Sequence, residues 1–232
     1  MLKIGERLQT VASMVPPCHT VADIGTDHGY VPACLALSGQ CRHVIASDIA
    51  EGPCQAAEET RNRYKLQDEM EIRMAPGLQG LRPGEAETVV IAGMGGATIV
   101  GILEESPEIA ASVTTFVLQP MNAAGLLRRW LVQHRYRIEE EALCKENKHI
   151  YNIIKAIHGE EMQELSSLEE EFGFCILEKK SALWQEYIEG KAEHYRRLLG
   201  QMAASPAAVN TAKYNELKKL FAQVDGLINK SV

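Results

Sequence analysis

Short apolar and β-branched runs alternate with helical stretches over the first two thirds of the chain. Seven runs are predicted strands: Thr20–Ile24, His43–Asp48, Met70–Met74, Thr88–Ala92, Thr114–Leu118, Arg135–Ala142 and Ile150–Ile157. The stretches with helical spacing are Val31–Leu37, Pro53–Lys65, Ala97–Glu104 and Ala123–His134. Because helix-length crossovers separate the first five strands, we predict a parallel sheet covered by helices. A short polar link joins the last two strands, which predicts an antiparallel hairpin.

The pattern changes near residue 160. An acidic stretch that includes Glu160, Glu161, Glu164 and Glu169–Glu171 precedes two apolar series with coiled-coil spacing. The two series are Ile188, Ala192, Tyr195, Leu199, Met202 and Tyr214, Leu217, Phe221, Val224, Ile228. Ser205-Pro206 interrupts the helical pattern between them. We therefore predict an α/β domain over residues 1–160 and an antiparallel helical hairpin, called the arm below, over residues 161–232.

Composition excludes several classes of protein. The 232 residues are 46% hydrophobic and 24% charged, which is typical of a globular protein. The six cysteines form no Cys-x-x-Cys pair, so no metal site is expected. The N-terminal segment places Leu2, Leu8, Val11 and Val15 at helical spacing among charges, unlike a secretory signal. No uncharged run is long enough to span a membrane, so we expect a cytoplasmic protein without membrane contact. We also expect a monomer.

The first predicted strand ends in the stretch Asp23–Pro32, which contains two acids and two glycines in the order Asp-Ile-Gly-Thr-Asp-His-Gly-Tyr-Val-Pro. In open α/β sheets this position usually holds the cofactor, and Gly25 and Gly29 would permit a close approach. The dinucleotide pattern Gly-x-Gly-x-x-Gly is absent. Asp23 and Asp27 would repel a phosphate but attract a cation such as S-adenosylmethionine, which carries an ammonium and a sulfonium. The alternative is a strand-to-helix turn with capping acids.

Three other predicted strands end in candidate ligand positions. Asp48 follows Gly29 by 19 residues and could accept hydrogen bonds from an adenosine ribose, or cap a helix. Gly93-Met94-Gly95-Gly96 could admit a flat or bulky ligand, or allow close packing of strand against helix. Gln119 and Asn122 could hydrogen-bond a base edge, although Asn122 could instead cap the following helix.

Basic residues are concentrated in two clusters, although the formal net charge is −7. From Glu178 onward, 9 Lys+Arg oppose 6 Asp+Glu. The arm cluster consists of Lys179, Lys180, Lys191, Arg196, Arg197, Lys213, Lys218 and Lys219, and the second cluster of Arg128, Arg129, Arg135, Arg137, Lys145 and Lys148. Such clusters can bind phosphates, so the acidic net charge does not exclude a nucleic-acid partner. A solvated charged helix face is the alternative.

Five stretches together resemble, in order, the bacterial tRNA adenine-N1 methyltransferases that modify adenosine 22. They are Asp23–Pro32, Ser47–Pro53, Gly93–Gly96, Leu118–Pro120 and Lys148–Tyr151. The resemblance spans nearly the whole chain, including the arm. It implies a Rossmann-like class I methyltransferase fold with a seven-stranded, mostly parallel sheet, S-adenosyl-L-methionine as cofactor and tRNA as partner. The positions expected to bind the cofactor are Asp23, Gly25, Asp27, Gly29, Asp48, Ile49, Gly77, Leu78, Gly93 and Met94.

The chemistry that this resemblance implies is modest. Adenine N1 keeps its lone pair at neutral pH, so catalysis requires alignment and charge stabilisation rather than a strong base. We expect Asp27 near the transferring methyl, with His28 and Tyr30 positioning an extruded adenine. The positions expected to contact the substrate are Gly95, Gln119, Asn122, Arg128, Arg129, Lys191, Arg196 and Arg197.

The sequence also departs from that family's pattern. Pro76 stands where relatives usually have Asp or Asn, and it offers neither a side-chain acceptor nor an N–H, so that adenine contact is expected to be lost or replaced. Asp48 stands where some relatives have Glu, and Met121 separates Pro120 from Asn122. The alternatives are a methyltransferase for another RNA or a small molecule, and a non-catalytic helical adaptor with a vestigial cofactor domain.

Overall fold

The computed structural model describes residues 2–159 and 164–229. Its strands are β1 (Cys18–Ile24), β2 (Cys41–Asp48), β3 (Met70–Met74), β4 (Thr88–Met94), β5 (Thr115–Pro120), β6 (Tyr136–Glu146) and β7 (His149–His158). Its helices are α1 (Glu6–Met14), α2 (Tyr30–Ser38), α3 (Glu51–Tyr64), α4 (Gly96–Glu104), α5 (Pro107–Ser112), α6 (Ala124–Gln133), α7 (Ser167–Phe172), α8 (Phe174–Lys179), α9 (Trp184–Ala203), α10 (Pro206–Val209) and α11 (Ala212–Asn229). A 3₁₀ turn covers Gly77–Gly80.

The seven strands form one sheet in the order β3-β2-β1-β4-β5-β7-β6. The first five strands are parallel, and β7 runs antiparallel to both β5 and β6. Crossover helices make the parallel pairing possible, and the tight turn at Asn147 makes the antiparallel hairpin. The predicted Rossmann-like arrangement, with its seven-stranded, mostly parallel sheet, is confirmed.

Helix α1 brings the N-terminal segment onto the sheet. Val11, Met14 and Val15 are buried in one core cluster with Val90 of β4 and Val117 of β5. The helical spacing of apolar residues in this segment therefore marks a face that packs against the sheet. Since α1 also contacts β5, β6 and β7, its polar face is held close to the carboxyl end of the sheet.

The described chain divides into two compact units, one ending at Glu164 and the next beginning at Leu165. In the second unit α9 packs against α11, with Ile188, Ala192 and Tyr195 of α9 and Val224 of α11 buried. The other positions of the two predicted apolar series are half-buried. The predicted boundary between residues 160 and 161, and the acidic residues Glu160 and Glu161, lie outside the described residues.

A buried ion pair and a hydrogen bond connect α6 to the hairpin formed by β6 and β7. Arg128 is fully buried; its Nε donates to Glu141 Oε1 at 2.6 Å and its Nη2 donates to Asn152 Oδ1 at 2.9 Å. The prediction that Arg128 contacts the substrate is therefore wrong, because this guanidinium is enclosed and already paired with a buried carboxylate. Within residues 2–159 and 164–229, no helix has both the length and the apolar character needed to cross a membrane.

Candidate active site

A cleft opens at the carboxyl ends of β1, β2 and β4. Its volume is about 300 Å³. The strand register sets its walls, since β1 lies between β2 and β4 and all three run in the same direction. The residues with functional groups or close backbone at the cleft are Arg7, Asp23, Gly25, Asp27, His28, Tyr30, Asp48, Gly93 and Met94. The topology therefore brings together side chains that are far apart in sequence.

The loop after β1 is held to the end of β2 by backbone hydrogen bonds. The N–H groups of Gly25 and Thr26 donate to the Ser47 carbonyl at 2.8 and 3.0 Å. The Asp27 N–H lies 3.4 Å from Asp48 Oδ2, and the Ala50 N–H donates to Asp48 Oδ1 at 3.0 Å. Gly25 has φ +75°, and a Cβ there would collide with the Met94 methyl. The positive φ therefore favours glycine at this position, and the end of the Met94 side chain occupies the space beside it.

Burial perturbs the acid at the base of the cleft. Asp23 is 4% exposed, and burial raises its pKa to about 7; the neighbouring Thr26 side chain opposes the rise, and the Asp48 carboxylate adds to it. Asp27 and Asp48 also line the cleft. A ligand with a positive group would therefore bind favourably and would stabilise the ionised form of Asp23. This set of acidic groups fits the cationic cofactor that the sequence predicts.

Arg7 is a residue of the cleft that the sequence reasoning missed. Its Nη1 donates to Gln119 Oε1 at 2.5 Å, and its Nε lies 3.6 Å from Glu146 Oε2. The guanidinium carbon lies 5.7 Å from the centroid of the Tyr151 ring. Its side chain is 20% exposed. Only the packing of α1 against the sheet places it here, and no local motif marks it.

Gln119 supports Arg7 instead of facing a ligand. Its side chain is fully buried, and its Oε1 accepts from the Gly93 N–H at 3.1 Å as well as from Arg7. Its Nε2 donates to the Pro120 carbonyl at 3.0 Å. The prediction that Gln119 hydrogen-bonds a base edge is therefore wrong, since both ends of the amide are already used inside the protein.

Two aromatic side chains stand at the mouth of the cleft. The rings of His28 and Tyr30 are stacked with centroids 5.3 Å apart and planes 17° from parallel. The His28 side chain is 52% exposed and Tyr30 is 37% exposed. His28 Nε2 lies 3.7 Å from Asp27 Oδ2, so the Asp27 carboxylate lies beside the stack. Together they form a flat surface with an acceptor at its edge, which suits a planar base with an amino group.

The remaining predicted positions of the first unit fall into three groups. Gly93 and Met94 line the cleft, whereas a Cβ on Gly96 would lie 2.9 Å from the Asn122 carbonyl oxygen, so Gly96 permits close strand–helix packing. Gly95 packs beside the exposed Asn122 in the same way. Gly29, Ile49, Gly77 and Leu78 are not among the residues that line the cleft; Ile49 is largely exposed, and the Leu78 side chain is fully buried.

Three predicted substrate contacts lie on α9 in the second unit, and each has a partner there. Lys191 Nζ lies 2.6 Å from Glu171 Oε1. Arg196 pairs with Glu193, and its guanidinium carbon lies 5.6 Å from the centroid of the Phe221 ring. Arg197 Nη2 lies 3.4 Å from His194 Nδ1. Arg129 is exposed on α6 of the first unit. In the arm, Lys213, Lys218 and Lys219 of α11 are exposed, as are Arg196 and Arg197 of α9, whereas Lys191 is half-buried.

A second cavity, of about 250 Å³, lies next to Trp130 of α6 and Tyr136, the first residue of β6. Its polar groups are largely satisfied, because Trp130 Nε1 donates to Glu104 at 2.9 Å and the Tyr136 hydroxyl donates to the Ala110 carbonyl at 2.5 Å. It offers no group of acids for a cationic ligand. In the described part of the chain, no group of three or more His, Cys, Asp or Glu residues could hold a metal ion.

Comparisons with known proteins agree with this geometry. Residues 4–154 match a methyltransferase domain family. The chain is 30% identical over 221 residues to the tRNA (adenine(22)-N(1))-methyltransferase of Bacillus subtilis, covering 93% of each chain. The crystal structure of the B. subtilis M1A22 tRNA methyltransferase TrmK superposes with a TM-score of 0.84 at 28% identity, covering 99% of both chains. Streptococcus pneumoniae Sp1610 in complex with S-adenosyl-L-methionine gives a TM-score of 0.86 at 29% identity, covering 97% of this chain and 100% of that one.

The raised pKa of Asp23 predicts a pH-dependent cost of folding. The folded state holds the Asp23 proton more tightly than the unfolded chain, so the ionised form opposes folding. Relative to Asp23→Asn, the wild type should lose roughly 3 to 4 kcal/mol of unfolding free energy between about pH 4 and pH 7, and then level off. Urea denaturation across this range checks the difference. Asp68→Asn, at an exposed position, is the matched control. If the difference in unfolding free energy between wild type and Asp23→Asn is as independent of pH as that for Asp68→Asn, the raised pKa of Asp23 is contradicted.

Proposed function

Because the chain belongs to the tRNA (adenine(22)-N(1))-methyltransferase family, we propose that it transfers a methyl group from S-adenosyl-L-methionine to N1 of adenosine 22 in tRNA. The observation that supports this most is the carboxylate-lined cleft with exposed stacked rings at its mouth. The cofactor, when bound, supplies an electrophilic methyl group. The residues of this chain would bind the cofactor, position the adenine and stabilise the charge that the base acquires.

Two carboxylates suit the cofactor's cationic and ribose groups. Asp23 would accept hydrogen bonds from the ammonium, and its ionised form would then be stabilised in its buried position. Asp48, at the end of β2, would accept hydrogen bonds from the ribose hydroxyls. Gly25 and Gly93, which both have positive φ, leave room for the ligand beside the backbone.

Arg7 would bind the carboxylate of the cofactor's methionine part. A ligand carboxylate in a cleft with three acidic side chains needs a cation, and among the described residues that line this cleft Arg7 is the only Lys or Arg. Its guanidinium is held by Gln119 and Glu146 and lies beside Gly93 of β4, away from Asp48 at the end of β2. A pre-positioned arginine with remaining N–H donors matches a carboxylate well.

The aromatic pair and Asp27 would hold the target base. His28 and Tyr30 offer a stacking surface for an extruded adenine, at a modest unstacking cost in RNA. The Asp27 carboxylate, 3.7 Å from His28 Nε2, would accept a hydrogen bond from the exocyclic amino group and stabilise the positive charge on the methylated base. Since N1 already has a lone pair, no proton has to be removed before it attacks.

The arm would supply the phosphate contacts. Lys213, Lys218 and Lys219 of α11 are exposed, whereas Lys191 and Arg196 of α9 are paired with acids. Exposed lysines along one helix can neutralise RNA phosphates without reading sequence. The proposal also includes action as a monomer in the cytoplasm, where the proposed substrate is found.

The reaction can be tested with labelled S-adenosylmethionine and unmodified tRNA, followed by mapping of methylated nucleosides by mass spectrometry. We expect N1-methyladenosine at position 22, and no product with a tRNA carrying guanosine there. Asp27→Asn should lower kcat by roughly 100-fold or more while leaving the cofactor Kd nearly unchanged. Asp68→Asn is the control. Product at another position, or full turnover by Asp27→Asn, would contradict the proposal.

The role of Arg7 predicts a selective loss of affinity. Arg7→Met should weaken S-adenosylmethionine binding by roughly 10- to 100-fold, because a charged hydrogen-bonded contact is removed. Binding of decarboxylated S-adenosylmethionine, which lacks the carboxylate, should be almost unaffected. Calorimetry with both ligands measures this, with Arg7→Lys as a partial rescue and the exposed Arg42→Met as control. An equal loss of affinity for both ligands would show that Arg7 does not bind the carboxylate of the cofactor. If the wild type binds neither ligand, the proposed cofactor itself is wrong.

The arm proposal predicts a change in salt dependence. The triple variant Lys213→Glu, Lys218→Glu, Lys219→Glu should raise the KM for tRNA at least about tenfold and reduce the slope of log affinity against log salt by about 2 to 3. The cofactor Kd should not change. The matched control carries the same reversal of charge on the first unit, as Arg42→Glu, Arg63→Glu and Lys65→Glu. Equal effects in the two triple variants would show that only the net charge matters.

A further inference from the structure

Two cysteines lie side by side at the amino ends of β1 and β2, whereas the cleft lies at the carboxyl ends of these strands. Cys18 is the first residue of β1 and Cys41 is the first residue of β2, and the two are paired in register. Their Sγ atoms lie 3.1 Å apart. Neither thiol lines the candidate active site, so the proposed methyl transfer leaves this pair without a role.

The spacing of the paired strands is compatible with a disulfide between Cys18 and Cys41. Neighbouring strands lie about 4.8 Å apart, within the range of about 4.4 to 6.8 Å that disulfides span between Cα atoms. Forming the bond needs the sulfurs to approach by roughly 1 Å, to the usual length of about 2.05 Å. Rotation of the two side chains can supply this approach. The strand pairing therefore needs no rearrangement.

The two thiols differ in access and in acidity. Cys41 is 2% exposed, whereas Cys18 is half-buried and can be reached by a small oxidant. The hydrogen bond from the Cys41 thiol lowers the pKa of Cys18, helped by the Thr88 hydroxyl and opposed by burial and the Glu87 carboxylate. The same interaction with Cys18, together with burial, raises the pKa of Cys41. Cys18 is thus the more reactive nucleophile of the pair.

We propose that Cys18 and Cys41 form a reversible intramolecular disulfide when the protein is oxidised by a peroxide. The Cys18 thiolate attacks one oxygen of hydrogen peroxide, which breaks the O–O bond, forms a Cys18 sulfenic acid and, with one proton, releases water. The Cys41 sulfur then attacks the Cys18 sulfur, forms the S–S bond and expels a second water. The two thiols lose two electrons, and the peroxide gains them. A dithiol such as dithiothreitol reverses the reaction by exchange.

The bond would enclose the segment that forms much of the cleft. Residues 18–41 contain β1 with Asp23, the loop with Asp27, and α2. Closing a loop of this length restricts the unfolded chain, so the oxidised protein should melt roughly 5 to 10 °C above the reduced protein. Dithiothreitol should remove this difference.

The test is oxidation of the wild-type protein with hydrogen peroxide, followed by alkylation with N-ethylmaleimide in denaturant, so that the buried Cys41 is accessible, and mass spectrometry. We expect two fewer alkylated thiols and a Cys18–Cys41 linked peptide. In the presence of dimedone, Cys41→Ser should accumulate a sulfenic adduct at Cys18, whereas Cys18→Ser should form none at Cys41. Cys54→Ser should behave as the wild type, since the Cys54 thiol faces the Asp48 and Arg73 carbonyls.

Other outcomes would overturn the proposal. If Cys18 and Cys41 stay as alkylatable as Cys54 after oxidation, or if non-reducing gels show only dimers linked between chains, the pair is not an intramolecular redox site. Peptide mapping of the wild type decides this even if a serine variant fails to fold. The experiment requires neither cofactor nor tRNA, so its result is independent of the methyltransferase proposal.

Discussion

The hydrogen bonds between the loop after β1 and the end of β2 are the constraint on which the site depends. The N–H groups of Gly25 and Thr26 both donate to the Ser47 carbonyl, so the backbone carrying Asp23 and Asp27 cannot move independently of Asp48. Parallel pairing of β1 with β2 and β4 brings the three strand ends to the same edge. Without that shared edge, the acids, the glycines and Arg7 would belong to separate surfaces.

The electrostatics of the cleft follow from this convergence. Burial of Asp23 beside Asp48 raises its pKa to about 7. Without a cationic partner, ionisation of this carboxyl therefore lowers the free energy of unfolding. The same arrangement favours a ligand with an ammonium group, while Arg7 supplies a single positive group on the β4 side. The net charge of −7 therefore does not identify the partners of the protein, because acidic groups line the cleft whereas exposed lysines lie on α11.

Much of the fold and part of the site could be predicted because the signals are local in sequence. The seven strands, the antiparallel hairpin and the apolar series of the arm were all visible in residue spacing. Asp23, Gly25, Asp27 and Asp48 could be identified because strand ends in an α/β pattern predict their placement. In contrast, Gln119 and Arg128 follow the same kinds of pattern as ligand-binding residues, yet both are fully buried and paired within the protein.

Residue spacing along the chain was enough to predict the class of fold, the order of its elements and the acidic, glycine-containing stretches at the strand ends, because hydrophobic periodicity and turn residues act over short distances along the chain. Three contacts depend instead on the packing of the folded chain: Arg7 reaches the cleft, His28 stacks on Tyr30 and Cys18 lies against Cys41. These are contacts between side chains whose exposure and direction depend on how helices and strands pack. A pattern of residue types shows which groups are available, and packing decides which of them meet.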